Sequence, residues 1–523
     1  MTIINSQLGG KKPVGTKNIT ANGVYNVTDY ASADVQVPTT APSNYLAYNI
    51  NSAGLISKGT AVVQFDQIKD VSAECLKEAF VGDLTLTGTL DLSALVQVSG
   101  ASGFQYSFMN CTNLTGVDMS ALVSITGNSG ASYMFKGCTG ITSVNLSNLT
   151  TISGGYGCEY MFSGCTGITG ALDLSSLTTI SNGYACQRMF ENCTNITSVD
   201  ISGLSTITKN YSCQYMFSGC TGITGALDLS NLTTISSDYG CQYMFQNCTG
   251  ITSVDLTGLT SITGRYACES MFNNCTGLTG HIDLSNLTVA GANYACNRIF
   301  EGCTGITSID LSGLKSISGG YNINNIVGNC TSLTTIDLSS LVYIGDGSWC
   351  AGTVCEYCSS LTTAKLDSLS SVSSLGMERA FGYCTSLTTL SFPALKSVGS
   401  TAFRNLISGV SGCTIHFPSN LDPQGGSTVI SSLTSYPNFG GTNTVLAFDL
   451  PATNTLTGAD SKTYSRNPKY DTATALAWKV GTYTSLNLTP AYYTNGTTDP
   501  QVGDTIYSDS ACTDALTTIT SIA

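Results

Sequence analysis

The chain has 523 residues, 42% of them hydrophobic and only 10% charged, with a net charge of −13 and a sequence pI near 4.5. That length and apolar share suit one long repeat array with a continuous core. The 20 Lys and Arg are spread thinly and form no basic stripe for a phosphate backbone, which argues against nucleic acid as a partner. No apolar run is long enough to span a bilayer as a helix. The opening MTIINSQLGGKKPVGTKN carries neither an apolar h-region nor a small-residue cleavage site, so a cytoplasm is the expected place of folding.

Residues 1–45 read as a small β module. KNITANGVYNVTDYASADVQVP holds two strand-like stretches around Asn22-Gly23, a hairpin signal, and Pro38 and Pro42 mark a linker. Residues 46–105 read as an N-terminal cap and first coil. VSAECLKEAF is expected to be a short helix, and LTLTGTLDLSAL already has the strand phrase of the later coils. Residues 106–404 are a repeat array. Its coils close on Cys111, Cys138, Cys165, Cys193, Cys220, Cys248, Cys275, Cys303, Cys330, Cys358 and Cys384. From Cys138 to Cys358 the steps alternate between 27 and 28, so the true unit is two coils and 55 residues. The extra residue falls in the strand phrase, where GITGALDLS alternates with GITSVDLS, and predicts a bulge in every second strand. Residues 405–470 read as a C-terminal cap. Residues 471–523 read as a second small β module, with Trp478, Tyr483, Tyr492, Tyr493 and Tyr507 as core candidates.

Within a coil, Ile251, Val254, Leu256 and Leu259 fit a strand phrase in which Val254 and Leu256 face inward and Asp255 outward. Cys268, Met271, Phe272 and Cys275 fall at i, i+3, i+4 and i+7, which predicts a short helix. Helical segments about 8–10 Å apart cannot keep step with strands about 4.8 Å apart unless the array curves. The parallel sheet is therefore expected on the concave side and the helices on the convex side. The 22 Cys raise the possibility of a disulfide framework, but pairs such as Cys158/Cys165 and Cys186/Cys193 stand seven apart, a helical rise of about 10.5 Å. A disulfide needs Cα atoms within about 7 Å, so these thiols read as small buried hydrophobes. The spacing also fails a CxxC zinc knuckle.

The phrase Ile/Leu-T-x-V-D-L…I…MF-x-x-C-T resembles the surface-antigen (BspA-like) class of leucine-rich repeats, found in gut bacteria and their phages. The resemblance implies an α/β leucine-rich-repeat solenoid with small β modules at both ends. KNITANGVYNVTDYASADVQVP is similar to a module at the start of phage tail and baseplate-associated proteins, and VGDTIYSDSACT resembles their terminal module. These likenesses imply a phage tail-associated, receptor-binding protein of the virion that folds in the host cytoplasm. Its partners would be other tail proteins through residues 1–45 and a host-surface glycan or protein. Such appendages are often homotrimers. A virion spacer without a receptor, or a bacterial surface adhesin, is the alternative.

The residues offer little for catalysis. His281 and His416 stand in unrelated contexts, and there is no P-loop, HExxH or GxGxxG context. The expected role is binding rather than enzymatic. Two outward columns are the candidate sites. One is a ladder of strand carboxylates, Asp173, Asp200, Asp228, Asp255, Asp283 and Asp310, with Asn145 in the same register. Like charges stacked in register repel, so hydroxyls and amides of neighbouring residues must offset them. A ligand, or a calcium ion bridging carboxylates, is the other reading; Asn145 counts against an obligatory metal and no cofactor is required. The second column lies four residues after an invariant Tyr: Tyr160, Arg188, Tyr215, Tyr243, Ser270 and Arg298. Its variation between coils predicts a position that the stack does not dictate, hence one exposed to a ligand, and Tyr and Arg are common binding hot spots. The invariant Tyr156, Tyr184, Tyr211, Tyr239, Tyr266, Tyr294 and Tyr321 are expected to pack coil on coil.

Overall fold

The computed structural model describes residues 69–418, apart from residues 72, 74, 75, 79, 85, 346 and 400, together with the backbone of short strands between 24 and 64 and between 445 and 522. The chain is a parallel β-solenoid of about 12 turns, and it divides into two compact units, residues 1–306 and 307–523.

In the first unit every coil contributes two short strands. Those that end on the Asp of the phrase pair in parallel, as Gly170–Asp173 does with Ile196–Asp200 and Gly225–Asp228 with Ile251–Asp255. The second strands, such as Thr151–Ile152 and Thr179–Ile180, pair in parallel in their own column. The predicted bulge is present: the register steps between Gly170 and Ala171 and again between Gly225 and Ala226. Gly170 has φ +83° and Gly225 φ +82°, and a Cβ at either would meet nothing. The left-handed backbone, not space, requires glycine there. Leu172 and Leu256 are buried as the strand alternation demands, whereas Val254 is only half-buried. Before the array, Val24–Asn26 pairs in parallel with Ala61–Gln64, which continues antiparallel to Leu55–Lys58 and Tyr48–Ile50. The first strand of the expected 1–45 hairpin lies outside the described residues.

The second unit repeats the pattern. Tyr343–Ile344, Ser371–Val372 and Ser397–Val398 stack in parallel, as do Thr335–Asp337 and Thr363–Lys365. Thr389–Ser391, Thr414–Pro418 and Val445–Asp449 follow in parallel order. Strands at Thr455–Gly458, Thr463–Arg466, Pro490–Ala491, Thr505–Tyr507 and Ala515–Ile522 form one further sheet. The tryptophan and tyrosine core expected for residues 471–523 falls on residues whose side chains are not described.

The expected helices of the coils are absent: among the described residues there is none, and the helix expected over 71–80 falls partly outside them. The segment from Tyr156 to Cys165 shows what replaces them. The N–H groups of Cys158, Tyr160, Phe162 and Gly164 donate to the carbonyls of Ala185, Gln187, Met189 and Glu191 in the next coil, at 2.8, 2.9, 2.8 and 2.8 Å. The intervening N–H groups of Glu159, Met161, Ser163 and Cys165 turn back to Tyr156, Cys158, Tyr160 and Phe162, three residues earlier. Half of the donors thus serve the stack and half a run of tight turns, so each is bonded without a helix. The turns require a left-handed residue every fourth position: Tyr156 (φ 58°), Tyr160 (φ 54°) and Gly164 (φ 74°), then Tyr184, Arg188 and Asn192.

The reason is one of spacing. An α-helix is about 10–12 Å across with its side chains, and parallel strands fix the coil rise at about 4.8 Å. Only an extended or turn-like chain can stack at that rise. The buried rings confirm it: Phe135, Phe162, Phe190 and Phe217 stack at centroid separations of 5.3, 5.3 and 5.6 Å. With no thick helices set against thin strands, the expected source of curvature is gone.

The cysteines are core, as expected, but for a different reason. At this coil rise, thiols of one column are near neighbours, so distance does not keep them reduced. Each closing thiol instead donates to a buried carbonyl of the coil before: Cys165 to Phe135 (3.0 Å), Cys193 to Phe162 (3.1 Å) and Cys220 to Phe190 (3.0 Å). That carbonyl also accepts the tight-turn N–H, so the thiol fills its second lone pair. Every described cysteine is free and buried.

Burial pushes these thiols up from their ordinary 9.0, to about 12 for Cys213, Cys275 and Cys296. A group whose folded value is raised stabilises the fold fully below its unfolded value and loses that contribution as pH rises toward the folded value. Unfolding in denaturant should therefore become easier above about pH 9, by up to about 1.4 kcal/mol per pH unit for each buried thiol. A denaturation midpoint flat from about pH 8 to about pH 11 would contradict this. Counting of the 22 cysteines in denaturant without reductant should find them as free thiols; fewer than half would contradict the buried-thiol account.

Candidate functional site

The strand carboxylates lie in register, Asp173 opposite Asp200, Asp228 opposite Asp255, and Asp310 opposite Asp337. Asp173, Asp200, Asp228 and Asp255 are exposed, and Asp283 and Asp310 are half-buried. Each closes its own strand. Asp173 Oδ1 accepts from the Ser175 amide (2.9 Å) and hydroxyl (2.7 Å), and Asp255 Oδ1 accepts from the Thr257 amide (2.9 Å) and hydroxyl (2.7 Å). Asp200, Asp228, Asp283 and Asp310 accept the amide two residues on in the same way. Asn145 does so with a neutral oxygen. These bonds hold the carboxyls of Asp173, Asp228 and Asp283 below their ordinary value. In the second unit Asp337 meets a cation, Lys365, at 2.6 Å. One oxygen of each carboxylate thus ends the strand, and in Asp337 the other is taken by Lys365.

On the turn side, three stacks run through the first unit. The Phe stack is buried. The invariant tyrosines form a second: Tyr156, Tyr184, Tyr211, Tyr239, Tyr266 and Tyr294 stand 4.5–4.8 Å apart and nearly parallel. Holding a non-glycine residue left-handed costs about 1–2 kcal/mol, and a ring pair returns about 0.5–1.5 kcal/mol beyond its burial. Stacking and the inter-coil hydrogen bonds together offset the strained backbone.

The variable column forms the third stack, and this corrects the expectation that the fold leaves it free. Tyr106, Tyr133 and Tyr160 stack at 4.7 and 4.6 Å. Arg188 then takes the place of a ring, 5.4 Å from Tyr160 and 4.1 Å from Tyr215, and Tyr215 stacks on Tyr243 at 4.6 Å. A planar guanidinium substitutes for a ring in such a stack, so Tyr and Arg alternate here without breaking it. Tyr160, Arg188, Tyr215 and Tyr243 are half-buried; Ser270 is buried; Arg298 is exposed and pairs with Glu301 at 3.6 Å.

A fourth column escaped the sequence reading. Three residues after each invariant Tyr stands Glu159, Gln187, Gln214, Gln242, Glu269 or Asn297. Gln187 donates to Gln214, Gln214 to Gln242 (2.5 Å) and Gln242 to Glu269 (2.5 Å), while Asn297 donates to the other Glu269 oxygen at 2.9 Å. Its signal was a carboxamide or carboxylate at one fixed place in six successive coils. Beside it, burial raises Glu159 and Glu191, opposed by Lys136 and Arg188, and Arg188 reaches Glu191 at 2.7 Å. Lys136 Nζ sits over Tyr160 at 4.3 Å.

Residues 104–279, 241–351, 291–408 and 352–425 match the BspA type leucine rich repeat region, in six copies. The chain belongs to the BspA-type leucine-rich-repeat family. A leucine rich cell surface protein from Faecalibacterium prausnitzii A2-165 is similar at 13% identity over 79% of this chain and 95% of its own, with a TM-score of 0.31. A leucine-rich repeat protein from Eubacterium ventriosum ATCC 27560 shows 19% identity over 69% and 95%, with a TM-score of 0.30. The functional domain of InlJ from Listeria monocytogenes, which includes a cysteine ladder, shows 14% over 69% and 77%, with a TM-score of 0.13. Scores of this size carry no argument about what the chain binds. No curated protein matches it.

In this BspA-type solenoid the Asp row should behave as a set of strand-ending caps. Asp228→Asn keeps the acceptor, as Asn145 does, and should leave the denaturation midpoint nearly unchanged. Asp228→Ala leaves the Ser230 amide without its partner and should cost about 1 kcal/mol. The native carboxyl is depressed below its ordinary 3.8, so its contribution is present above that value and is lost as pH falls through the folded one. Acid titration of the two variants tests this: equal midpoints, or acid sensitivity unchanged in Asp228→Asn, would contradict it.

Proposed function

We propose that this BspA-type chain is a non-catalytic recognition protein of a phage tail that displays its solenoid to the host-cell surface. One observation carries the reading. The backbone donors of the coils are used by neighbouring coils and by tight turns within each coil, so recognition falls to rows of outward side chains on a rigid frame. Those rows are the outer carboxylate oxygens of Asp173, Asp200, Asp228, Asp255, Asp283 and Asp310, and the edges of the Tyr160, Arg188, Tyr215, Tyr243 and Arg298 column. A surface glycan or protein is the ligand class, and several copies per particle, a homotrimer among the arrangements, would multiply weak contacts. Residues 1–45 would attach it to other tail proteins. That each strand-ending Asp already has a protein donor supports a frame that stands without an ion.

A bacterial surface adhesin is the second reading, because the same family match supports it equally. The free, buried cysteines favour a protein that folds in a reducing cytoplasm and so favour the virion.

Purified full-length protein should bind cells of at least one gut-bacterial strain, and antibody against it should label phage particles rather than uninfected cells. The combined Asp200→Asn, Asp228→Asn and Asp255→Asn variant should fold and bind less. A protein that binds no strain in a broad panel overturns recognition; labelling of uninfected cells moves it to the bacterial surface.

A further inference from the structure

The stack of invariant tyrosines stops one ring short. Tyr156 is its first member: one face lies on Tyr184 at 4.5 Å, and the other looks toward the preceding coil. There the equivalent position is Ser129, which has the same left-handed backbone (φ 53°), and one coil earlier it is Ser102 (φ 55°). Neither serine can cover a ring. Tyr156 is accordingly 41% exposed, while the next five rings are half-buried. The neighbouring stack does not stop there, since Tyr133 and Tyr106 continue it beside Ser129 and Ser102. The result is a step: an open phenol face at its end, and a wall of rings along its side.

We infer that this step is a subsite for a pyranose ring, which continues the tyrosine stack where Ser129 leaves it open. The face of a phenol is electron-rich and attracts the C–H face of a sugar as it attracts the edge of another ring. The side chains around the step suit hydroxyls. Asn128, exposed, fixes the loop by accepting from the Gly155 amide through Oδ1 at 2.9 Å, which points its amide donors outward, and Ser129 adds a hydroxyl. Tyr184, Tyr211, Tyr239 and Tyr266 cannot serve in this way, since a ring lies on both faces of each. The Tyr156 end is therefore a single subsite rather than one of a row. The inference rests on the surface-recognition reading only for the source of the sugar.

Saturation-transfer NMR of the full-length protein tests it, with the methyl glycosides of glucose, galactose, mannose and N-acetylglucosamine as probes. At least one should receive saturation on the hydrogens of one ring face. Ser129→Tyr should abolish that transfer by completing the stack, at a melting temperature no lower than the wild type's, because six tyrosines already hold this conformation. Should that variant fail to fold, Ser129→His supplies a smaller ring from a residue type that tolerates the left-handed region, and the same loss is expected. No transfer to any probe, or transfer retained in the folded variant, overturns the subsite. Cell binding separates the two readings. No transfer to any probe, with a wild type that binds cells, would remove the subsite and keep surface recognition. Sugar transfer lost in the variant, with a wild type that binds no cells, would keep the subsite and remove surface recognition.

Discussion

The parallel hydrogen-bond ladder sets the rise from coil to coil at about 4.8 Å, and the rest of the molecule conforms to it. No segment thicker than an extended chain can stack at that rise. The side opposite the strands therefore becomes a run of tight turns, with every second N–H given to the next coil. The turns in turn require left-handed residues at fixed places, filled here by Tyr, Arg, Asn, Ser and Gly. A strained backbone repeated in every coil persists because the same rise gives its N–H groups carbonyls in the next coil and brings planar groups into stacking distance.

The rise also makes every residue a neighbour of its own copies. For rings this helps, and the Phe and Tyr stacks result. For amides it allows a chain of donors, from Gln187 through Gln214 and Gln242 to Glu269. For thiols it places an S–H beside a carbonyl that has one lone pair to spare. For carboxylates it is unfavourable, and each Asp offsets the repulsion by accepting from the amide two residues on. The outer surface is what remains after these local needs are met: one carboxylate oxygen per coil, ring edges, and the open face of Tyr156.

Much of this was legible in the residues. The strand phrase, the glycine that steps the register at Gly170 and Gly225, the buried Cys-Met-Phe set and the outward Asp all follow from alternation and spacing. The helix did not survive. Over eight residues a four-residue turn period and the 3.6-residue helical period bury the same positions, so Cys268, Met271, Phe272 and Cys275 satisfy both. The deciding fact, a rise on the turn side as small as that of the strands, shows only in the structure, where the Phe rings repeat at 5.3–5.6 Å. The variable column was misjudged for a related reason: Arg188 differs in letter from Tyr160 and Tyr215 but not in shape, since its flat guanidinium fills the gap between their rings. Variation there marks interchangeable planar groups rather than freedom from the stack.

The central claim is that a ladder of left-handed turns, not a layer of helices, carries the side opposite the strands. The amide I infrared band of the full-length protein in solution tests it most directly. The account predicts a band made chiefly of β and turn components, without the helical share that one short helix in every coil would add. A helical component large enough to place one short helix in every coil would contradict it.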